Sequence, residues 1–446
     1  MRITLPDPQA FAAVFSNATG FTLPESVAGI ATDNRHVQPG DLFLAIQGEN
    51  TDGHHFVGQA AQSGAAAALV SHSIQEANLT EINVSDPVET IGGVAQAWRQ
   101  QFSLPVIGIT GSNGKTTTKE IIRHLLAPDM AVHATEGNYN TSVGLPLSLL
   151  TLTRDHEVSI LEMGANQPGD IQYLCRIAIP TYGIITNIAP AHLAGFGSID
   201  AIAREKGALF QSLHDGTAFI NKDDPRITPP PSPAQSVTFG FQPNCDFAAD
   251  LWTDEDLSVT LTVNTIDIPI YSQNLTFAKN VLAALSLVIT MGVSWDDVPE
   301  RLKTFQPATG RSVVKKIKDT IIIDDTYNAN LNSTRAAIDF LTTFTGKRQI
   351  LVFGDMLELG DQSAKLHAAV GLYADEKGIS ALYSTGQESR HTDEAITGQL
   401  DHVHMETKED LFPLLSREMN ADTVLLFKGS RGMAMETLIR QLEEAA

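Results

Sequence analysis

Only two cysteines occur in this sequence, Cys175 and Cys245, far apart and in no metal-ligand spacing. That excludes a disulfide-built fold and a cysteine zinc site, and it suits a reducing compartment. Basic residues are also scarce: 30 Lys and Arg against 52 Asp and Glu leave a formal net charge of −22. Such a balance repels nucleic acid and anionic membrane surfaces. No apolar run is long enough to span a bilayer. Met1-Arg2-Ile3-Thr4-Leu5-Pro6 lacks the apolar core of a secretion signal. The expectation is a cytoplasmic monomer with no nucleic-acid or membrane partner. Any phosphate-bearing ligand must then be held by local devices: helix N-termini, a few cations and a divalent metal ion.

What the sequence does contain is apolar material for several cores, 43% of its 446 residues with 18% charged. A single core stops growing near ~250–300 residues, so about three domains are expected. The reading divides the chain at 1–82, 83–309 and 310–446. The first part mixes short apolar runs with turns and ends in an alanine-rich helix over 59–68 and a strand over 67–70. The middle opens on the β run 106–110, a Gly-rich turn and a helix with Ile121, Ile122, Leu125 and Leu126 apolar. Strands follow over 158–161, 182–188 and 217–220, alternating with helices in the manner of a parallel sheet. The proline-rich run 229–233 reads as a surface excursion. From 310 the alternation restarts, with strands over 320–323, 349–353, 381–384 and 423–427 and helices over 333–344, 363–374 and 433–444. No G-x-G-x-x-G occurs there, so a dinucleotide role is not indicated. The fold class is α/β in three domains: a small substrate domain, a central phosphate-loop domain on a parallel sheet, and a Rossmann-like C-terminal domain.

Chemistry concentrates first in Gly108-Ile109-Thr110-Gly111-Ser112-Asn113-Gly114-Lys115-Thr116-Thr117, between a β run and a helix. Backbone N–H groups there can cradle phosphates, Lys115 can reach the β/γ oxygens, and the Thr116 hydroxyl can ligate Mg²⁺. Asn221-Lys222-Asp223-Asp224 mimics a guanine-binding motif, but no D-x-x-G switch lies between residues 116 and 221, so it reads as a strand-end turn. Glu162 lies at the end of a strand, where open α/β sheets bind ligands. His192 and Lys206 follow it. Taken alone, these three read as a solvated acid, a hydrogen-bonded histidine and a surface lysine.

Their order decides otherwise. GITGSNGKTT, EGNYNTSVGLPLSLL, LEMGANQPGDI, TNIAPAHLAGFGS and REKGALF succeed one another along the chain, and this succession resembles the central domain of the Mur ligase family. The resemblance implies ATP and a pair of Mg²⁺ ions as cofactors. Thr116, Glu162 and His192 would be metal ligands, and a carbamylated Lys206 would bridge one ion, presenting oxygens that hard Mg²⁺ prefers. Lys115, His192 and Lys206 would be the catalytic set. Asn140 and Thr141 would face the substrate. Phe277-Ala278-Lys279-Asn280-Val281 resembles the adenine-contacting segment, with Asn280 the reader. Lys279 and Ala283 stand where the family usually has His and Asn. Arg311 would meet the phosphates, Asp325 the ribose, and Tyr327 and Asn328 the nucleoside. Lys428, Ser430 and Arg431 match a signature facing the cleft, while Asn34 and Arg35 resemble part of the UDP-muramoyl-binding domain, with Asn34 where Ser is usual.

Within the family, Asp325-Thr326-Tyr327-Asn328-Ala329-Asn330 and VFGDMLELG resemble the member that adds D-alanyl-D-alanine to a UDP-N-acetylmuramoyl-tripeptide. The D-N-P-R motif of the diaminopimelate-adding member is absent; the only proline after residue 310 is Pro413. The implied activity is ATP-dependent amide formation through an acyl phosphate, in peptidoglycan precursor synthesis. Two alternatives stay open: another amide ligase of the superfamily, such as a folylpolyglutamate synthase, and a phosphate-loop switch ATPase.

Overall fold

Short runs of Val, Ile and Leu bounded by turn residues become strands buried on both faces, as parallel sheets require. The computed structural model, which describes residues 1–24, 27–48, 51–76, 78–229, 235–253, 259–270 and 272–446, arranges them in three sheets. The first has five strands in chain order: Arg2–Thr4, Gly29–Ala31, Asp41–Leu44, Ala67–Val70 and Thr80–Asn83. Its first pair is antiparallel and the rest are parallel. The helix expected over 59–68 is shorter. Val57–Gln62 stops before Gly64, whose φ of 91° is left-handed, and the chain then enters the strand Ala67–Val70. Alanine tolerates either state, so the glycine decides where the helix stops.

The second sheet has nine strands. At its centre Val106–Thr110 lies parallel between Val158–Glu162 and Tyr182–Ile185. Val132–Ala134 extends it on one side, Thr217–Asn221 and Gln235–Gly240 on the other. The chain therefore leaves Val106–Thr110 in one direction and later returns to its opposite flank. Such a switch point opens a crevice at the strands' C-terminal ends. Phe247–Thr253, Val259–Val263 and Ile266–Ile270 add an antiparallel ribbon at the edge. Of the proline-rich run, residues 230–233 lie outside the described residues. The third sheet orders its strands Val313–Ile317, Thr320–Asp325, Thr423–Lys428, Arg348–Gly354, Ala381–Thr385 and Asp401–Met405, parallel apart from the first.

Packing fixes the crevice. The helix Lys115–Leu126 buries Ile121, Ile122, Leu125 and Leu126 completely, among Ile107, Ile109 and residues of the helix Leu275–Thr290. Removing each such side chain from water is worth about 1.5–3 kcal/mol. Helix Pro87–Arg99 packs on Pro8–Thr19 in the first domain and on Gly144–Leu149 and Asp170–Ala178 in the second, so the two share one apolar cluster. Buried Arg99 fixes the end of this helix to the helix Asp170–Ala178, donating to Ala178 O at 2.9 Å, and to Phe102 O just beyond its own end at 2.6 Å. Among the described residues no helix is long and apolar enough to cross a membrane.

Candidate active site

The strand Val106–Thr110 ends at the switch point, and the chain must turn there into the helix Lys115–Leu126. Gly111 and Gly114 make the turn possible, with φ of 149° and 81°. A Cβ on Gly111 would lie 1.9 Å from Thr186 Oγ1, and one on Gly114 2.4 Å from Asn280 Oδ1. The helix opens without a side-chain cap, which leaves the N–H groups of Lys115, Thr116 and Thr117 without intrahelical partners. Earlier loop amides are occupied: Ser112 N–H donates to Asn187 O at 2.9 Å and Asn113 N–H to Asn187 Oδ1 at 3.1 Å. The anion cradle is thus the helix N-terminus after Gly114, narrower than the whole loop, while the Ser112 hydroxyl donates to Ala189 O at 2.9 Å.

Lys115 folds back over the loop, its Nζ donating to Gly111 O at 2.8 Å. Desolvation pushes its pKa below the ordinary lysine value, as does nearby Arg311, while the Glu162 charge opposes both. Glu162 is 2% exposed rather than a solvated acid. Both its oxygens are held: Oε2 accepts from Thr116 Oγ1 at 2.9 Å and Oε1 from Asn140 Nδ2 at 2.7 Å. Thr116 Oγ1 also accepts from Arg311 Nη2 at 3.1 Å.

Lys206 is likewise no surface cation. The helix Ile199–Gln211, capped by Ser198 Oγ on Ala201 N–H, carries it inward until it is 4% exposed. Its neighbour Glu205 is taken by another helix terminus, accepting from Gly169 N–H at 2.7 Å and Ile171 N–H at 2.6 Å. Among the described residues Lys206 Nζ has no hydrogen-bond partner. Desolvation, reinforced by the Lys115 charge, pushes its pKa down to about 7. A buried amine that is neutral near pH 7 is a nucleophile toward CO₂, whereas an ammonium is not.

His192 stands at φ 53° on the loop after Tyr182–Ile185, its Nδ1 hydrogen-bonded to the carboxylate of Glu358 in the third domain. Burial pushes its pKa below the ordinary value, and Glu358 pulls the other way. Other third-domain groups meet it around the same space. Arg311 lies 3.8 Å over the Tyr327 ring, its Nε buried without a partner among the described residues. Lys428, 1% exposed, pairs with Asp325 and donates to Asn328 O at 3.1 Å. Ser430 Oγ accepts from Leu357 N–H at 2.8 Å, and Arg431, more open, pairs with Glu436 at 2.9 Å.

One cleft of about 980 Å³ gathers these groups. The loop Gly111–Thr117, Asn140, Thr141, Glu162, His192, Lys206, Asn280, Arg311, Asp325, Tyr327, Asn328, Lys428, Ser430 and Arg431 all line it. Asn34 and Arg35 do not. Asn34 donates to Gln59 Oε1 at 2.6 Å, and Arg35 pairs with Asp33 and faces a separate cavity of about 600 Å³ with Arg2, His36 and Tyr139. Tyr139 adjoins Asn140, so the two cavities are one residue apart along the chain.

Several participants stand inside motifs already named but with no role of their own assigned there. Asn187 locks the phosphate loop through both backbone and side chain, Asn330 bonds Asn113 amide to amide, Glu358 holds His192, and Phe277 stacks on Phe305 at 5.6 Å along the cleft wall. The strand-end position of Asn187 was a usable signal. For Glu358 and Asn330 the motifs VFGDMLELG and Asp325–Asn330 mark the segment but not the contact, since their partners lie in another domain.

The donor set suits Mg²⁺ bound with substrate oxygens rather than in a protein cage. Among the described residues no three His, Cys, Asp or Glu groups converge on a metal-sized point. What the protein offers such an ion is one orientated carboxylate, a hydroxyl, an imidazole and a buried amine of lowered pKa.

Comparison with known proteins agrees with this assembly. Family models for the Mur ligase catalytic domain, middle domain and glutamate ligase domain match residues 26–99, 109–288 and 310–431. A UDP-N-acetylmuramoyl-tripeptide–D-alanyl-D-alanine ligase of Escherichia coli is 34% identical over 93% of each chain. The chain belongs to the Mur ligase family. The Haemophilus influenzae enzyme of the same name is 33% identical over 94% of each chain. Among solved structures, MurF from Acinetobacter baumannii superposes with a TM-score of 0.87 at 30% identity, covering 97% of this chain and 98% of that one. MurF ligase from Thermotoga maritima in complex with ADP does so with 0.80, also at 30%, covering 94% and 98%. The three-domain Mur ligase architecture therefore extends over nearly the whole chain.

Proposed function

We propose that this Mur ligase joins D-alanyl-D-alanine to UDP-N-acetylmuramoyl-tripeptide at the expense of ATP, in peptidoglycan precursor synthesis. The observation that carries the reading is the single cleft in which phosphate-loop, carboxylate, buried-lysine and third-domain groups meet, in a chain alike over nearly its full length to ligases of that name. The tripeptide's terminal carboxylate attacks the γ-phosphorus of ATP, giving an acyl phosphate and ADP. The dipeptide amine attacks the acyl carbon, loses its proton, and the tetrahedral intermediate expels inorganic phosphate. No covalent enzyme nucleophile is required.

The residues divide this work. The helix N-terminus after Gly114 and Lys115 hold the phosphates, and Arg311 brings a third-domain cation onto Thr116. Asn280 borders the adenine subsite, and Asp325, Tyr327 and Asn328 flank the nucleoside. Thr116, Glu162, His192 and a carbamylated Lys206 would hold Mg²⁺, which when bound neutralises charge on the transferring phosphoryl group. Asn140, Thr141, Lys428, Ser430 and Arg431 would orient the two acceptor and donor peptides, while Asn34 and Arg35, the latter bordering the second cavity, would serve the UDP end. We assign domain limits of 1–82, 83–309 and 310–446, a monomeric enzyme, and cytoplasmic action where ATP is available.

An ADP-release assay crossing UDP-muramoyl peptides and folate with D-Ala-D-Ala, L-Lys, diaminopimelate and D-Glu tests the reading. Tripeptide and D-Ala-D-Ala together should stimulate release far above any other pair. Turnover with no acceptor dependence would instead indicate a switch ATPase.

A further inference from the structure

We infer that Glu358 is a positioning residue that sets the tautomer and orientation of His192, so that docking of the third domain completes the central domain's metal site. This rests on His192 being a ligand, as proposed above. Glu358 lies between the third-sheet strand Arg348–Gly354 and the turn Gly360–Gln362, whereas His192 follows a strand of the second sheet. They are 166 positions apart in the chain.

The contact is built from both sides. Glu358 and His192 are non-glycine residues in left-handed backbone, at φ 63° and 53°, a conformation that persists only where its surroundings impose it. On the Glu358 side, Ser430 Oγ anchors the preceding residue by accepting from Leu357 N–H at 2.8 Å. The Glu358 carbonyl accepts from Ala194 N–H at 3.2 Å, a main-chain bond between the domains. On the His192 side, Gly195 sits so close to Asn166 that a Cβ would lie 2.0 Å from its carbonyl oxygen. The pair is not forced together by burial, since the side chains are 31% and 59% exposed.

A carboxylate can only accept, so His192 Nδ1 carries the proton and the lone pair is left on Nε2. That is the tautomer a metal-binding imidazole needs, with the partner that fixes ring rotation and raises ligand basicity. Because the carboxylate comes from the third domain, the ring is fixed only while that domain is docked.

The test is Mn²⁺ binding to the full chain with ADP present, followed by electron paramagnetic resonance, for wild type, Glu358→Ala, Glu358→Gln and His192→Ala. The ring ¹⁵N shifts of His192 are recorded in parallel. Glu358→Ala should weaken Mn²⁺ about 10–100-fold, the usual cost of losing such a partner, and mix the two tautomers. Glu358→Gln, whose amide oxygen can still accept from Nδ1–H, should keep the tautomer and lose less affinity. Wild-type Mn²⁺ affinity and an unchanged ring spectrum in Glu358→Ala, with affinity lost in His192→Ala, would overturn the positioning role while leaving the ligand reading intact. Unchanged affinity in His192→Ala would overturn both, by removing the reading beneath.

Discussion

Arg311 donates from Nη2 to Thr116 Oγ1 at 3.1 Å, so the start of the third domain touches the phosphate loop through the hydroxyl that also bonds Glu162. Its guanidinium lies over Tyr327, 3.8 Å from the ring centroid, while its buried Nε has no partner among the described residues. A planar cation held by stacking, with a donor unused, is poised for an additional acceptor such as a phosphate oxygen. Arg311→Lys keeps the charge and loses the stack and the fork. Stacking and one charged hydrogen bond together are worth roughly 2–4 kcal/mol. Steady-state kinetics of Arg311→Lys should therefore show kcat/KM for ATP lower by ~30-fold or more; a loss under threefold would contradict the placement.

Lys115 opens the helix of the phosphate cradle, its Nζ held by Gly111 O. Removing one preorganised charge from a transferring group typically costs ~10²–10³ in rate. Lys115→Ala should lose at least that in ADP release at saturating ATP and Mg²⁺, with circular dichroism and Tm close to wild type. Near-normal turnover would exclude the phosphate-loop assignment.

For Lys206, burial at 4% exposure and a pKa near 7 favour the neutral amine that carbamate formation consumes. Lys206→Ala should lose most activity, and a short carboxylic acid added to that variant should restore part of it by supplying the missing oxygens. Wild-type enzyme degassed after acid treatment should slow and recover when bicarbonate is returned. Full activity of Lys206→Ala, or indifference to CO₂, would leave the lysine a structural neighbour only.

His133 gives a pH dependence unrelated to catalysis. It is buried beside His156, and desolvation pushes its pKa from 6.5 down to about 4. Its Nε2 faces Ser148 O at 3.0 Å, an acceptor, so Nε2–H donates and Nδ1 accepts from Ser159 Oγ at 2.8 Å. That arrangement suits the neutral ring. Between about 6.5 and about 4 the unfolded chain binds a proton that the folded one refuses, so stability from this site is complete above 6.5 and falls as pH drops. Denaturation midpoints from pH 7 to pH 4 should fall more steeply for wild type than for His133→Gln. Parallel slopes would show that His133 does not carry the effect.

Much of this protein was readable from residue order because its most informative features are local. A turn from strand to helix needs Gly111 and Gly114 whatever surrounds it, and the apolar spacing of Ile121, Ile122, Leu125 and Leu126 marks a buried helix face. Strands over 158–161 and 423–427 announced themselves as short, mostly apolar runs, Val-Ser-Ile-Leu and Thr-Val-Leu-Leu-Phe. The edge ribbon of Phe247–Thr253, Val259–Val263 and Ile266–Ile270 carries a different signal, the period-two alternation Val259-Thr260-Leu261-Thr262-Val263 of a half-buried strand, and its antiparallel pairing lies outside the parallel core. Even burial was misjudged locally: Glu162 and Lys206 look like surface charges until the crevice closes over them.

By itself, then, the sequence determined the phosphate loop, the alternation that builds the sheets, and the order of acidic, histidine and lysine residues that places the chain among the Mur ligases. Tertiary structure alone decided which of those residues meet and who holds them. Asn113 and Asn330 are 217 positions apart, and Asn187 reaches back 74 positions to the phosphate loop. A turn is specified by φ, ψ and sterics within a few residues, so its sequence suffices to reveal it. A contact between domains depends on how separately folded bodies dock, and nothing in the local spacing of Glu358 or Asn330 encodes the distant partner that each one touches.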